Sequence, residues 1–145
     1  MYQRTILLAD PDPEIRAMLQ RGLDLMGYVV LEVESGDAAM ALMLRTEIAL
    51  LLTELYVPTG DTPCLVSAVR RIPALRRMKV LVYSAFATAE DREYALSAGA
   101  DAYLTKPTRV GQLLQVAGRL AQSRTYAAQR ASSRVIEHTS SREAR

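Results

Sequence analysis

Apolar residues in this chain recur with two alternating periods. Five short runs predict strands: RTILLA at Arg4–Ala9, YVVLEV at Tyr28–Val33, IALLLT at Ile48–Thr53, KVLVYSA at Lys79–Ala85 and DAYLT at Asp101–Thr105. Segments with helical spacing separate them. The first opens on Asp12-Pro13-Glu14, which supplies an N-cap, a first-turn proline and a first-turn acid. It carries Ile15, Met18, Leu19, Leu23 and Met26 on one side and stops at Gly27. A second helix opens at Ser35-Gly36-Asp37, and a third covers Cys64–Ile72 until Pro73 interrupts it. A fourth is capped by Thr88 and closed by Gly99, and a fifth runs from Arg109 with Val110, Leu113, Leu114, Val116, Ala117 and Leu120 along one side.

Strict alternation of strand and helix predicts an α/β domain, a doubly wound five-stranded parallel sheet covered on both faces. The third run is apolar at nearly every position, as a strand buried on both faces would be. In such sheets, sites form beyond the carboxyl ends of the strands where the strand order switches. The residues placed there are Asp10 and Asp12, Glu54, Ser84, and Lys106-Pro107. Two carboxylates from neighbouring strands, a hydroxyl and an ammonium are thus expected around one crevice.

Composition narrows the setting. A chain of 145 residues suits one core, and its longest apolar runs fall far short of the roughly 20 residues needed to cross a bilayer. The start MYQRTILLAD lacks a cleavable apolar region, so the expected setting is cytoplasmic. A single cysteine, Cys64, and a single histidine, His138, make no Cys/His zinc cluster, and Cys64 reads as a buried thiol. Residues 1–118 carry 12 Lys/Arg against 14 Asp/Glu, whereas 119–145 carry 6 Arg against 2 Glu. The basic character therefore belongs to the C-terminal stretch. The expected division is a domain over 1–122 and a basic extension over 123–145, helical or disordered. The cluster Arg70, Arg71, Arg76, Arg77 and Lys79 reads as a solvated face, and nucleic-acid binding is disfavoured by the mildly acidic body.

The stretches ILLADPDPEIRAMLQRGL, LLLTELYVPTGD and VLVYSAFATAEDREYALSAGADAYLTKPTRVGQLL together resemble the receiver domain of bacterial two-component response regulators, over roughly residues 4–122. The resemblance rests on GADAYLTKP with Tyr103, Lys106 and Pro107, on the pair Ser84-Ala85, and on an acid four residues before Pro58. It implies a flavodoxin-like (CheY-like) fold with strand order 2-1-3-4-5, a Mg²⁺ site, and phosphoryl transfer from a histidine kinase to an aspartate. Ser84 and Tyr103 then match the hydroxyl and the ring that couple such a site to the face formed by the fourth helix, fifth strand and fifth helix.

Two positions depart from that pattern. Where the family carries two adjacent acids that hold Mg²⁺, this chain has Asp10-Pro11, with Asp12 beyond the proline. Where the family carries the phosphorylated aspartate, this chain has Glu54. Magnesium demands near-octahedral oxygen geometry, and Pro11 offers no side-chain oxygen, so the expected metal state is none, or weak Mg²⁺ through Asp10 and Glu54. Phosphoryl transfer depends on positioning and on metal neutralisation of charge, and the longer glutamate arm disturbs the first while Pro11 disturbs the second. That arm also carries the carboxylate towards Lys106.

The expected function is a stand-alone receiver-like module of a phosphorelay pathway, not an enzyme. It acts by protein–protein interaction, with Glu54 imitating the phosphorylated state. Expected partners are a histidine kinase or downstream effector, docking on the fourth helix, fifth strand and fifth helix around Tyr94, Tyr103 and Leu113; a homodimer is kept open, and no membrane is expected. One alternative is a functional response regulator phosphorylated at Asp10 or Asp12 with Mg²⁺. A second is a flavodoxin-like binder of a small ligand, although no Gly-rich phosphate loop accompanies it.

Overall fold

The computed structural model describes residues 3–123. The C-terminal extension and His138 lie outside the described residues. Five parallel strands, β1 (Thr5–Ala9), β2 (Val29–Val33), β3 (Leu50–Thr53), β4 (Lys79–Ser84) and β5 (Ala102–Thr105), form one sheet in the order β2-β1-β3-β4-β5. They alternate with α1 (Pro13–Leu25), α2 (Gly36–Arg45), α3 (Leu65–Arg71), α4 (Ala89–Ala98) and α5 (Val110–Gln122), and a 3-10 turn at Pro73–Leu75 follows α3. Among the described residues, no helix is long and apolar enough to cross a membrane.

The predicted caps form. Asp12 accepts from the Glu14 N–H at 2.9 Å, Ser35 from Ala38 at 3.2 Å and Thr88 from Asp91 at 3.0 Å, each satisfying a first-turn donor left free by the helix. Gly99 ends α4 at φ 119°, a left-handed conformation that disfavours a side chain.

Side chains alternate across the pleat, so each strand feeds two cores. Leu7, Ala9, Leu51, Val80 and Val82 face α2, α3 and α4, whereas Ile6, Leu8, Leu50, Leu52, Leu81 and Tyr83 face α1 and α5. β3 is buried at every position, whereas the edge strand β2 is not. Cys64 is buried in the first of these cores.

Three side chains depart from the pattern read in the sequence. Met26 and Val110 are exposed because each sits at the end of its helix, beyond the stretch that meets the sheet. Arg70 is not part of a solvated face. Its guanidinium donates to the Gly99 carbonyl at 3.0 and 2.8 Å, to Met78 O at 2.6 Å, to Arg76 O at 2.8 Å and to Asp101 Oδ2 at 3.0 Å. Asp101 Oδ2 also accepts from the Val80 N–H at 2.8 Å. The planar fork of arginine suits several carbonyls at once, and here it ties α3 to the start of β4 and to the turn entering β5.

Arg70→Ala is expected to lower unfolding free energy by about 2 kcal/mol, since it takes the guanidinium donor from the Gly99, Met78 and Arg76 carbonyls, while Asp101 keeps the Val80 N–H and Lys79. Arg70→Lys should recover only part of that. Arg76→Ala, at an exposed position, should change stability by less than about 0.5 kcal/mol. Urea denaturation of the three variants checks this, and equal effects of Arg70→Ala and Arg76→Ala would contradict the bracket.

Candidate functional site

The switch in strand order falls between β1 and β3, because α1 leaves β1 on one face and α2 returns on the other. Ala9 pairs with Thr53 at the carboxyl edge, and the Glu54 N–H continues the ladder to Ala9 O at 3.0 Å. Asp10 and Glu54, the next residues on each strand, are therefore brought side by side. On the far side Ser84 pairs with Thr105, and the Lys106 N–H reaches Ser84 O at 2.7 Å, which turns the Lys106 side chain in from β5. The Lys106–Pro107 peptide is cis.

The Lys106 ammonium bridges the two carboxylates, 2.9 Å from Asp10 Oδ2 and 3.0 Å from Glu54 Oε2. Side-chain exposures of 16% for Lys106, 7% for Asp10 and 12% for Glu54 mean that the pairing takes place largely out of water. The remaining carboxylate oxygens are also engaged: Asp10 Oδ1 accepts from the Asp12 N–H at 2.9 Å and Glu54 Oε1 from the Leu55 N–H at 2.7 Å. The ammonium lies 5.6 Å from the centre of the Tyr83 ring, within cation–π range. Burial by itself would push the Lys106 pKa down, but its hydrogen bonds to Asp10 and Glu54 and the charges of both outweigh that, and the pKa is raised.

Pro11 is exposed at the rim, and Asp12 turns its carboxylate away to cap α1. Of the predicted crevice residues, Asp10, Glu54 and Lys106 meet directly, Ser84 joins them through its backbone, and Pro11 and Asp12 stand outside the ion cluster. Among the described residues there is no group of three or more His, Cys, Asp and Glu placed to hold a metal ion.

Ser84 and Tyr103 converge on one residue that the sequence did not single out. The Ser84 hydroxyl accepts from the Phe86 N–H at 3.1 Å, and the Tyr103 hydroxyl donates to the Phe86 carbonyl. Tyr103 is buried, which raises its pKa, with the Ser84 hydroxyl acting against that rise. The Phe86 ring meets Tyr56 edge to face at 4.8 Å, and Tyr56 stacks on Tyr94 at 6.0 Å. Tyr56 also donates to Asp91 Oδ1 at 2.9 Å. One signal for these residues was present: Tyr56 lies two residues after Glu54 and Phe86 two after Ser84, at the ends of neighbouring strands.

The expected partner surface needs correction. Tyr94 is exposed, but Tyr103 and Leu113 are buried and cannot present a surface. Leu113 packs between α5 and the sheet on the face opposite α4, because the exit from β5 sends α5 over to the side of α1.

The Response regulator receiver domain model matches residues 6–117 of this sequence. The chain belongs to that family. An uncharacterised 14.6 kDa protein of Leptolyngbya boryana is 32% identical over 116 residues, 80% of this chain and 88% of its own length. The DNA-binding dual master transcriptional regulator RpaA of Synechocystis is 30% identical over 109 residues, 75% of this chain but 45% of its own length. The chain thus spans less than half of that regulator. A putative response regulator from Chloroflexus aurantiacus superposes with a TM-score of 0.76 at 25% identity, covering 83% of this chain and 98% of the other. The signal receiver domain of a histidine kinase from Syntrophus aciditrophicus superposes with 0.74 at 26%, covering 84% and 94%. Receiver domains are the signalling modules of two-component systems, and residues 6–117 form one here.

Because the folded pKa of Lys106 is raised, its stabilising contribution is present in full below the unfolded value of about 10.4 and is lost as pH rises through the folded value. Glu54→Gln removes one attracting carboxylate while burial still opposes the charge. The Lys106 titration, followed by NMR between about pH 9 and 12, should therefore move to lower pH in that variant. An unmoved titration would mean that Glu54 does not hold the ammonium.

Proposed function

We propose that this receiver works as a pseudo-receiver, in which Glu54 takes the place of a phosphoryl group and holds the domain in its signalling conformation without phosphorylation. The observation that carries the reading is the Lys106 ammonium held at 3.0 Å by Glu54 Oε2 and at 2.9 Å by Asp10 Oδ2. An anion arriving at this crevice finds its cation already neutralised.

The same geometry argues against Mg²⁺. Asp10 and Glu54, the carboxylates that would hold such an ion, already share the Lys106 ammonium, which would compete with it for them. Pro11 supplies no side-chain oxygen and Asp12 is committed to α1. These residues do not fit the ion, which needs open oxygen ligands in octahedral array. Phosphorylation at Asp10 is disfavoured on this reading because phosphoryl transfer needs the ion's neutralising charge, and because the Asp10 carboxylate is already paired with Lys106.

Signalling in this reading runs through partner binding. Glu54 and Lys106 bias the β4–α4 loop, whose Phe86 backbone is held by Ser84 and Tyr103, and a partner reads the loop and α4. A stable carboxylate in place of a transient phosphoryl group makes the output constitutive, so regulation falls to the abundance of the protein or of its partner. A cytoplasmic location accompanies this reading, since the kinases and effectors of such pathways act there.

Intact mass after incubation with Mg²⁺ and acetyl phosphate separates this from a working phosphoacceptor. The protein as it stands should gain no phosphoryl group, while the double variant Pro11→Asp, Glu54→Asp should gain one. Phosphorylation of the unmodified protein would overturn the reading. Once a partner is in hand, Glu54→Gln should weaken binding by roughly 5- to 150-fold, the usual span of coupling between linked sites at about 1 to 3 kcal/mol. Lys106→Ala should cost a similar amount, and combining the two changes should add little, because both remove one interaction.

A further inference from the structure

Beside the crevice, on the face of the sheet that carries α2, α3 and α4, Tyr56, Phe86 and Tyr94 stand 38%, 47% and 39% exposed. Three neighbouring rings left open to water form an apolar patch of the kind that marks a contact site. They are also fixed in place. Tyr56 touches both other rings and bonds to Asp91, and Asp91 is bound in turn by the Thr88 hydroxyl at 2.6 Å and by its own N–H contact to Thr88. Rings held this way lose little further freedom on binding, which favours affinity.

The side of α4 that carries Tyr94 is acidic. On α4, Glu90 lies one turn before Tyr94 on the same side of the helix and Glu93 flanks it, both exposed, whereas Arg92 lies on the opposite side. Aromatic faces attract cations, and the neighbouring carboxylates reinforce that preference. From these observations we infer that Tyr56, Phe86 and Tyr94, with Glu90 and Glu93, form the docking patch for a protein segment that carries Arg or Lys together with aliphatic side chains. The inference deepens the partner-binding role proposed above and rests on it. The patch joins the crevice through Phe86, whose N–H and carbonyl are held by Ser84 and Tyr103 while its ring forms one wall.

The test uses the ¹⁵N-labelled full chain and three synthetic peptides: an amphipathic Arg/Lys/Leu helix, the same peptide with Glu for the cations, and the same peptide with Ser for Leu. Only the first should shift the signals of Tyr56, Phe86 and Tyr94 in a saturable manner. Phe86→Ala with Tyr94→Ala should weaken it at least about 10-fold, the loss typical of anchor residues. Glu90→Lys with Glu93→Lys, on a solvent-facing side where folding is not at stake, should do the same.

Equal binding of the Ser peptide, or shifts elsewhere on the domain, would overturn the inference, because charge alone would then suffice. Dilution-dependent shifts of the three rings in the peptide-free chain would make a second copy the occupant. Shifts on replacing Arg124, Arg130 and Arg134 by Gln would make the chain's own C-terminal segment the occupant. Either result overturns the assignment to a partner. Loss of binding in the aromatic variant with no change in Glu54→Gln would keep the patch and remove the role of Glu54; the reverse would keep Glu54 and remove the patch.

Discussion

The carboxyl edge of this domain is organised by one ammonium shared between two carboxylates. Two acids placed side by side by the pairing of β1 and β3, and mostly shielded from water, repel each other unless a cation joins them. Lys106 is that cation, and it comes from the end of β5, two strands beyond β3. The cluster therefore does more than hold three side chains. It links the loops after β1, β3 and β5, and it depends on each of those strands ending in register. Removing one partner would leave an uncompensated charge in a site with little water, which costs more than the pair itself contributes.

From that cluster the connections run outward through backbone groups. Ser84 accepts the Lys106-side ladder through its carbonyl and accepts the Phe86 N–H through its hydroxyl, so one residue belongs both to the crevice and to the β4–α4 loop. Tyr103 holds the same loop from β5. On the other side, the loop after β3 is fastened to α2: Thr59 donates to Asp37 at 2.7 Å, the Gly60 N–H does so at 3.2 Å, and the hydrogen bonds from Thr59 and Gly60 lower the Asp37 pKa. Gly36 belongs to this contact as well, since a Cβ there would lie 2.3 Å from the Pro58 carbonyl oxygen. Glu54 is thus carried on a loop anchored at one end by the sheet and at the other by a helix terminus, a rigid mount that suits a fixed charge.

The departures from the family pattern fit one another on the reading proposed. A glutamate in place of the acceptor reaches the lysine, and a proline in place of a metal ligand removes the competitor for the same carboxylates. On the function proposed above, the two together stand for a permanent charge arrangement in which Lys106 pairs with Asp10 and Glu54.

The alternation of periods was enough to determine five strands, five helices, a parallel sheet and the edge at which a site would lie. Local chemistry determined the caps at Asp12, Ser35, Thr88 and Gly99, because a cap depends on residues within one turn of each other. The convergence of Asp10, Glu54 and Lys106 was also legible, since each follows a strand and strand ends gather at one edge. Tertiary structure alone decided which of two faces a side chain meets and what a long side chain reaches. Leu113 and Tyr103 looked available and are buried, because the sequence does not say on which side of the sheet α5 lies or which way a ring turns. Arg70 looked solvated and brackets three segments, and Phe86 and Tyr56, which nothing in the sequence singled out, meet each other and Tyr94. In each case the deciding contact joins residues far apart in the chain, through distances set by sheet register and helix packing, and neither periodicity nor composition encodes those.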